Sequence, residues 1–115
     1  VEDRDGVLWM LGVGRIGRWN GRVVEPVALP ADGPRNIRAI RPAPEGGLWL
    51  SASNGLWRYQ AGGTKLIVAA PIAEYLAMGA DGQLWGLTAK QHLLQFSGGR
   101  WVSVAVLPDE KCTVL

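Results

Sequence analysis

The chain has 115 residues, 48% of them hydrophobic and 19% charged, which is enough for the core of one ordinary domain and too apolar for a disordered one. A formal charge of +2, with basic residues scattered among acidic ones, leaves no tract for a phosphate backbone and argues against nucleic acid as a partner. The single cysteine, Cys112, excludes an intrachain disulfide, and no apolar run is long enough for a membrane-spanning helix.

Sixteen glycines and seven prolines supply more turns than a helical bundle needs, and six tryptophans form a recurring pattern. The first unit, about 1–41, opens with Asp5-Gly6-Val7-Leu8-Trp9. Its aromatic Trp19 leads into the Asn20-Gly21 turn, and an apolar run follows Arg22. Strands are predicted at 7–13, 16–20, 23–29 and 37–41, each bounded by Gly, Pro, Asn or Asp.

The second unit, about 42–78, repeats this as Glu45-Gly46-Gly47-Leu48-Trp49, then Arg58-Tyr59 before a glycine turn, then Lys65-Leu66-Ile67-Val68. Its strands are predicted at 48–53, 56–60, 65–70 and 73–78. Local propensity over 71–78 favours a helix, with Pro71 at a first turn and Ala, Glu, Leu and Met behind it. The repeat register outweighs that propensity and predicts a strand.

The third unit, about 79–115, carries Asp81-Gly82-Gln83-Leu84-Trp85, then Phe96 before Ser97-Gly98, then Arg100-Trp101-Val102. Strands are predicted at 84–88, 92–97, 101–107 and 112–115. The three cassette tryptophans are 40 and 36 residues apart, a period that implies one repeated supersecondary unit.

The fold class expected is therefore all-β, a β-propeller segment of three four-stranded antiparallel blades. A lone sheet of this size cannot bury its faces, and stacked blades can. Trp9, Trp49 and Trp85 are expected in equivalent slots between blades, with Trp19, Tyr59 and Phe96 as the second recurring aromatic of that core. Closed propellers have about four to eight blades. Either the chain is a fragment of a larger propeller or it forms a homodimer, two copies making six blades. Val1-Glu2-Asp3 resembles the tail of a preceding blade, and Val1 an internal position of a longer gene product.

Motifs for catalysis are lacking: there is no glycine-rich phosphate loop, no Gly-x-Ser-x-Gly elbow and no zinc pattern. No catalytic residue, metal or cofactor is expected. His92 stands in Lys90-Gln91-His92-Leu93 without a second histidine or paired carboxylate, which assigns it to structure. Asp3-Arg4-Asp5-Gly6 looks like the start of a calcium loop but lacks its later ligands. Asp5, Glu45 and Asp81 are expected to accept backbone hydrogen bonds in their turns. Arg15, Asn54, Trp57 and Lys90, polar or aromatic residues of loops at the channel mouth, are the candidate contacts for a small-molecule or glycan ligand. Arg15, Arg18 and Arg22, with Arg35, Arg38 and Arg41, would line an anion site if they converged.

The second copy, Glu45-Gly46-Gly47-Leu48-Trp49-Leu50-Ser51-Ala52-Ser53-Asn54-Gly55-Leu56-Trp57-Arg58-Tyr59, resembles the two-component regulator propeller repeat. The first copy departs from that pattern at Arg15-Ile16-Gly17 and the third at Gln91-His92-Leu93. The resemblance implies a ligand-sensing or protein-interaction role in a bacterial sensor, outside the cytoplasm, in a membrane-bound parent protein. The segment from Gly17 to Glu25, with Leu29-Pro30, also resembles repeats of streptogramin lyase-type propellers, enzymes that use His, Glu and a divalent metal.

Overall fold

The computed structural model describes residues 1–60 and 62–107, so the strand predicted at 112–115 and Cys112 lie outside the described residues. Eleven strands and no helix are found among them. They are β1 Trp9–Leu11, β2 Ile16–Trp19, β3 Val24–Pro26, β4 Ala39–Pro42, β5 Leu48–Ala52, β6 Gly55–Gln60, β7 Gly63–Val68, β8 Ala73–Met78, β9 Leu84–Thr88, β10 His92–Ser97 and β11 Arg100–Val106. All pairings are antiparallel, in sheets ordered β1-β2-β3, β4-β5-β6-β7 and β8-β9-β10-β11. Within the 71–78 segment Ala73–Met78 form a strand, as their place in the repeat requires and against local propensity.

The three acidic glycine turns are built alike. Asp3, Ala43 and Gly79 each donate their amide to the carbonyl four residues on, at 2.9, 3.0 and 2.8 Å, and accept from the glycine amide three residues on. The second and third turns join the edge strands β4 and β8 to the strands bearing the cassette tryptophans, and this sets the grouping of strands. The segment predicted as the fourth strand of the first unit becomes β4, paired through Arg41↔Trp49 with the second sheet. Likewise β8 pairs through Ala77↔Trp85 with the third sheet. The sequence unit and the hydrogen-bonded sheet are thus out of phase by one strand, because a tight turn brings partners together at less entropic cost than the long 27–38 connection.

In the first sheet three strands are paired, one fewer than expected. Val1 and Glu2 occupy the place that the ends of β4 and β8 hold in the other sheets. Val1 exchanges hydrogen bonds of 2.8 and 2.7 Å with Trp9, and Glu2 bridges Leu8.

Successive sheets pack face to face around two cores, and period-two alternation divides the side chains between them. In β5, Leu48, Leu50 and Ala52 enter the first core with Trp9, Ile16, Ile40 and Trp57. Trp49 points the other way, into the second core with Leu56, Leu76, Leu84, Leu94 and Trp101. The cassette tryptophans share one register, paired with Arg18, Arg58 and Gln95. Trp9 meets Tyr59 of the next sheet edge-on at 5.4 Å, and Trp49 meets Phe96 at 5.1 Å. Trp85 belongs to neither core and is half-buried.

Candidate functional site

The turns β1–β2, β5–β6 and β9–β10 occupy equivalent places in the three sheets, and they carry Arg15, Asn54 and Lys90 respectively. The long β3–β4 connection and the short β7–β8 connection approach the same turns. This end of the molecule therefore gathers three of the four ligand candidates, although not into one cavity.

Asn54 works inside the fold. Its Oδ1 accepts from the Arg35 amide at 3.0 Å and from the Trp57 indole at 3.2 Å, and its Nδ2 donates to the Gly33 carbonyl at 3.0 Å. Ser53 adds a second tie, its amide and hydroxyl both donating to the Arg35 carbonyl. Trp57 is buried in the first core. Both residues hold the β3–β4 connection against the β5–β6 turn, a role that a turn sequence alone does not distinguish from ligand contact.

Arg15 is exposed and lines a cavity of about 700 Å³ with Gly14, Leu29, Pro34, Arg35 and Asn36. Of the two arginine clusters, one member of each reaches this cavity. Elsewhere Arg18 lies over the Trp9 ring at 5.9 Å, while Arg38, paired with Glu74, and Arg41, which donates to the Ile40 carbonyl, line another cavity of about 400 Å³.

Lys90 lines a different cavity, of about 440 Å³, beneath the β7–β8 connection. Its apolar walls are Pro71, Ile72, Leu94 and Trp101, while Glu74, Thr88, Lys90, His92 and Ser103 supply polar atoms. Such a concave apolar space with a few converging polar groups is the usual form of a small-molecule site. The Glu74 carboxylate is engaged by the guanidinium of Arg38, the residue before β4. Among the described residues no carboxylate pairs with the exposed Lys90 ammonium, which is there the unbalanced charge at the rim.

Sequence reasoning named Lys90 and missed its neighbours. Glu74 and Ser103 are remote from Lys90 in the chain, and only the pairing of β8, β9, β10 and β11 brings them near it. His92 lines the cavity beside Glu74, which is already paired; its amide donates to Thr88 Oγ1 at 3.0 Å. Among the described residues no group of three or more His, Cys, Asp or Glu side chains is placed to hold a metal ion.

The opposite end corrects another expectation. Asp81 Oδ1 does accept an amide, that of Gln83, at 3.1 Å. In the first turn that work falls to Asp3 and not to Asp5: Asp3 Oδ1 accepts from the Asp5 and Val7 amides, and Oδ2 from the Trp9 indole at 2.8 Å. Glu45 faces the Arg58 guanidinium at 3.4 Å, because Arg58 lies over Trp49 at 4.9 Å and donates to the Gly46 carbonyl.

The fold and these cavities define an all-β chain of repeated antiparallel sheets with ligand-sized spaces at the turn end. Compared with protein-family models, curated proteins and solved structures, the chain matches none. The resemblances drawn from its repeat rest on the repeat residues alone.

Proposed function

We propose that the three sheets are successive blades of a β-propeller, and that the chain is a non-catalytic ligand-sensing module of a bacterial sensor of the two-component type, acting outside the cytoplasm. The blade reading is supported by the common register of Trp9, Trp49 and Trp85 and by the repeated contact of each sheet with the next. The sensor role is supported by the resemblance of the 45–59 segment to two-component regulator repeats.

The observation that carries the binding role is the cavity of about 440 Å³ walled by Ile72, Leu94 and Trp101 with Lys90 at its rim. Apolar walls favour a hydrocarbon or aromatic body, and an unbalanced ammonium favours a negative group at one end. The ligand class is accordingly a small amphipathic carboxylate. Tryptophan fluorescence titrated with 4-phenylbutyrate and with its neutral amide tests this. The acid is expected to bind about fivefold more tightly, a difference of about 1 kcal/mol for a charge pair at an exposed rim, and Lys90→Gln should abolish that preference. Equal affinity of the two probes for the parent chain, or no saturable response to either, would sink the reading.

A further inference from the structure

The β3–β4 connection reaches the β1–β2 turn, and the two segments are tied where they meet. The Ile37 amide donates to the Gly14 carbonyl at 3.2 Å, and the turn itself is closed by the Gly12 amide on the Arg15 carbonyl at 2.8 Å. Gly14, with φ of +68°, lies against Asn36, whose own φ is +49°. Arg35 is held from another side. Its amide donates to Asn54 Oδ1 at 3.0 Å, and its carbonyl accepts from the Ser53 amide and hydroxyl at 2.8 and 2.9 Å. Arg15 and Arg35 therefore leave fixed backbone and line one cavity of about 700 Å³.

The charge in this cavity has a single sign. No acidic side chain lines it, Asp32 of the same connection included, and among the described residues neither arginine pairs with a carboxylate. Arg38 and Arg58, by contrast, each face a glutamate. Two uncompensated guanidinium groups in one concave space raise the local potential for an anion, and their planar forks match the oxygens of a phosphate or carboxylate. The whole lining falls within residues 13–36, and Ile16, Val27 and Leu29 ground it on the first core.

We propose that this cavity is a second binding site, for a small molecule carrying a phosphate monoester, with Arg15 and Arg35 sharing the charge of the phosphate. Near neutral pH a phosphate monoester carries close to two negative charges, which matches two fixed cations as a single carboxylate does not. A water molecule occupies about 30 Å³ of liquid, so the cavity has room for an organic body beyond the phosphate group. The site is separate from the one at Lys90, since no residue lines both cavities.

Amide NMR of the whole chain titrated with glucose 6-phosphate at about pH 7.5 tests the assignment, and saturable shifts are expected at Gly14, Arg15, Arg35 and Asn36. Gluconate, with one charge on a body of similar size, should bind about fivefold more weakly, and glucose should not bind. Arg15→Gln and Arg35→Gln should each weaken glucose 6-phosphate about fivefold, the loss of one exposed charge pair. Both side chains are exposed, and the contacts that hold Arg35 are made by its backbone, so the fold is retained in each variant. Lys90→Gln should leave this affinity unchanged. The inference is overturned by the absence of saturable shifts at these residues, by equal affinity for gluconate, or by an affinity that neither arginine substitution lowers. Shifts centred on Lys90 and Trp101 would overturn it as well, by moving the phosphate to the other cavity.

Discussion

Trp49 is fixed from two sides, by the Phe96 ring at 5.1 Å and by the Arg58 guanidinium at 4.9 Å. Its truncation removes one of the two tryptophans of the second core. Trp49→Ala is expected to destabilise the chain by about 3–5 kcal/mol, read as a lowered urea midpoint. Asp3 offers a test through pH. Burial alone would raise its carboxyl pKa, but hydrogen bonds from the Trp9 indole and from the Val7 and Asp5 amides outweigh that and hold it below the ordinary 3.8. A carboxylate depressed by folding stabilises fully above its unfolded pKa, and that contribution is lost as pH falls through the folded value. The melting temperature should therefore drop on acidification below about pH 4. Asp3→Asn should lower stability at neutral pH and flatten this acid limb.

At the scale of elements, turns and connections carry the information that strands alone lack. Asn54 accepts from Arg35 and Trp57 and donates to Gly33, so it joins the β5–β6 turn to the β3–β4 connection. Asn54→Ala leaves these groups without partners and is expected to cost about 1–3 kcal/mol, with faster hydrogen exchange at the Arg35 amide. The glycine turns differ sharply in tolerance. At Gly47, φ is +73° and a Cβ would overlap the Tyr59 carbonyl oxygen, whereas at Gly62, φ is +78° with nothing within 4 Å. Thermal melts should show Gly62→Ala costing about 1 kcal/mol, through backbone conformation alone, and Gly47→Ala costing well beyond that. The repeat was legible at this scale because Gly and acidic residues at fixed spacing encode a local turn. Which sheet β4 joined was not legible, since the segment stands between two units in sequence and its hydrogen bonds alone assign it to the second.

For the molecule as a whole, burial is concentrated in the second sheet, which has a core on each face. All five residues of β5 are buried, as are the first three of β6, while β3 and β11 are largely exposed. Native-state hydrogen exchange should accordingly find its slowest amides in β5 and β6 and fast ones in β3 and β11. Uniform protection across the three sheets would contradict that ordering.

The sequence by itself determined the all-β class, the three turns, the shared register of the tryptophans and the strand at 73–78. These follow from period and local turn chemistry, which need no distant partner. Tertiary structure decided the rest. It withdrew Asn54 and Trp57 into the fold, since the 33–35 segment packs over a turn that looks open when read alone. It separated Arg15 from Lys90, placing them in different cavities at one end of the molecule. It also exposed Trp19 while burying Trp49, although both belong to the same recurring pattern. Burial depends on whether a neighbouring sheet covers the face, and the repeat sequence is the same on a covered face and an open one.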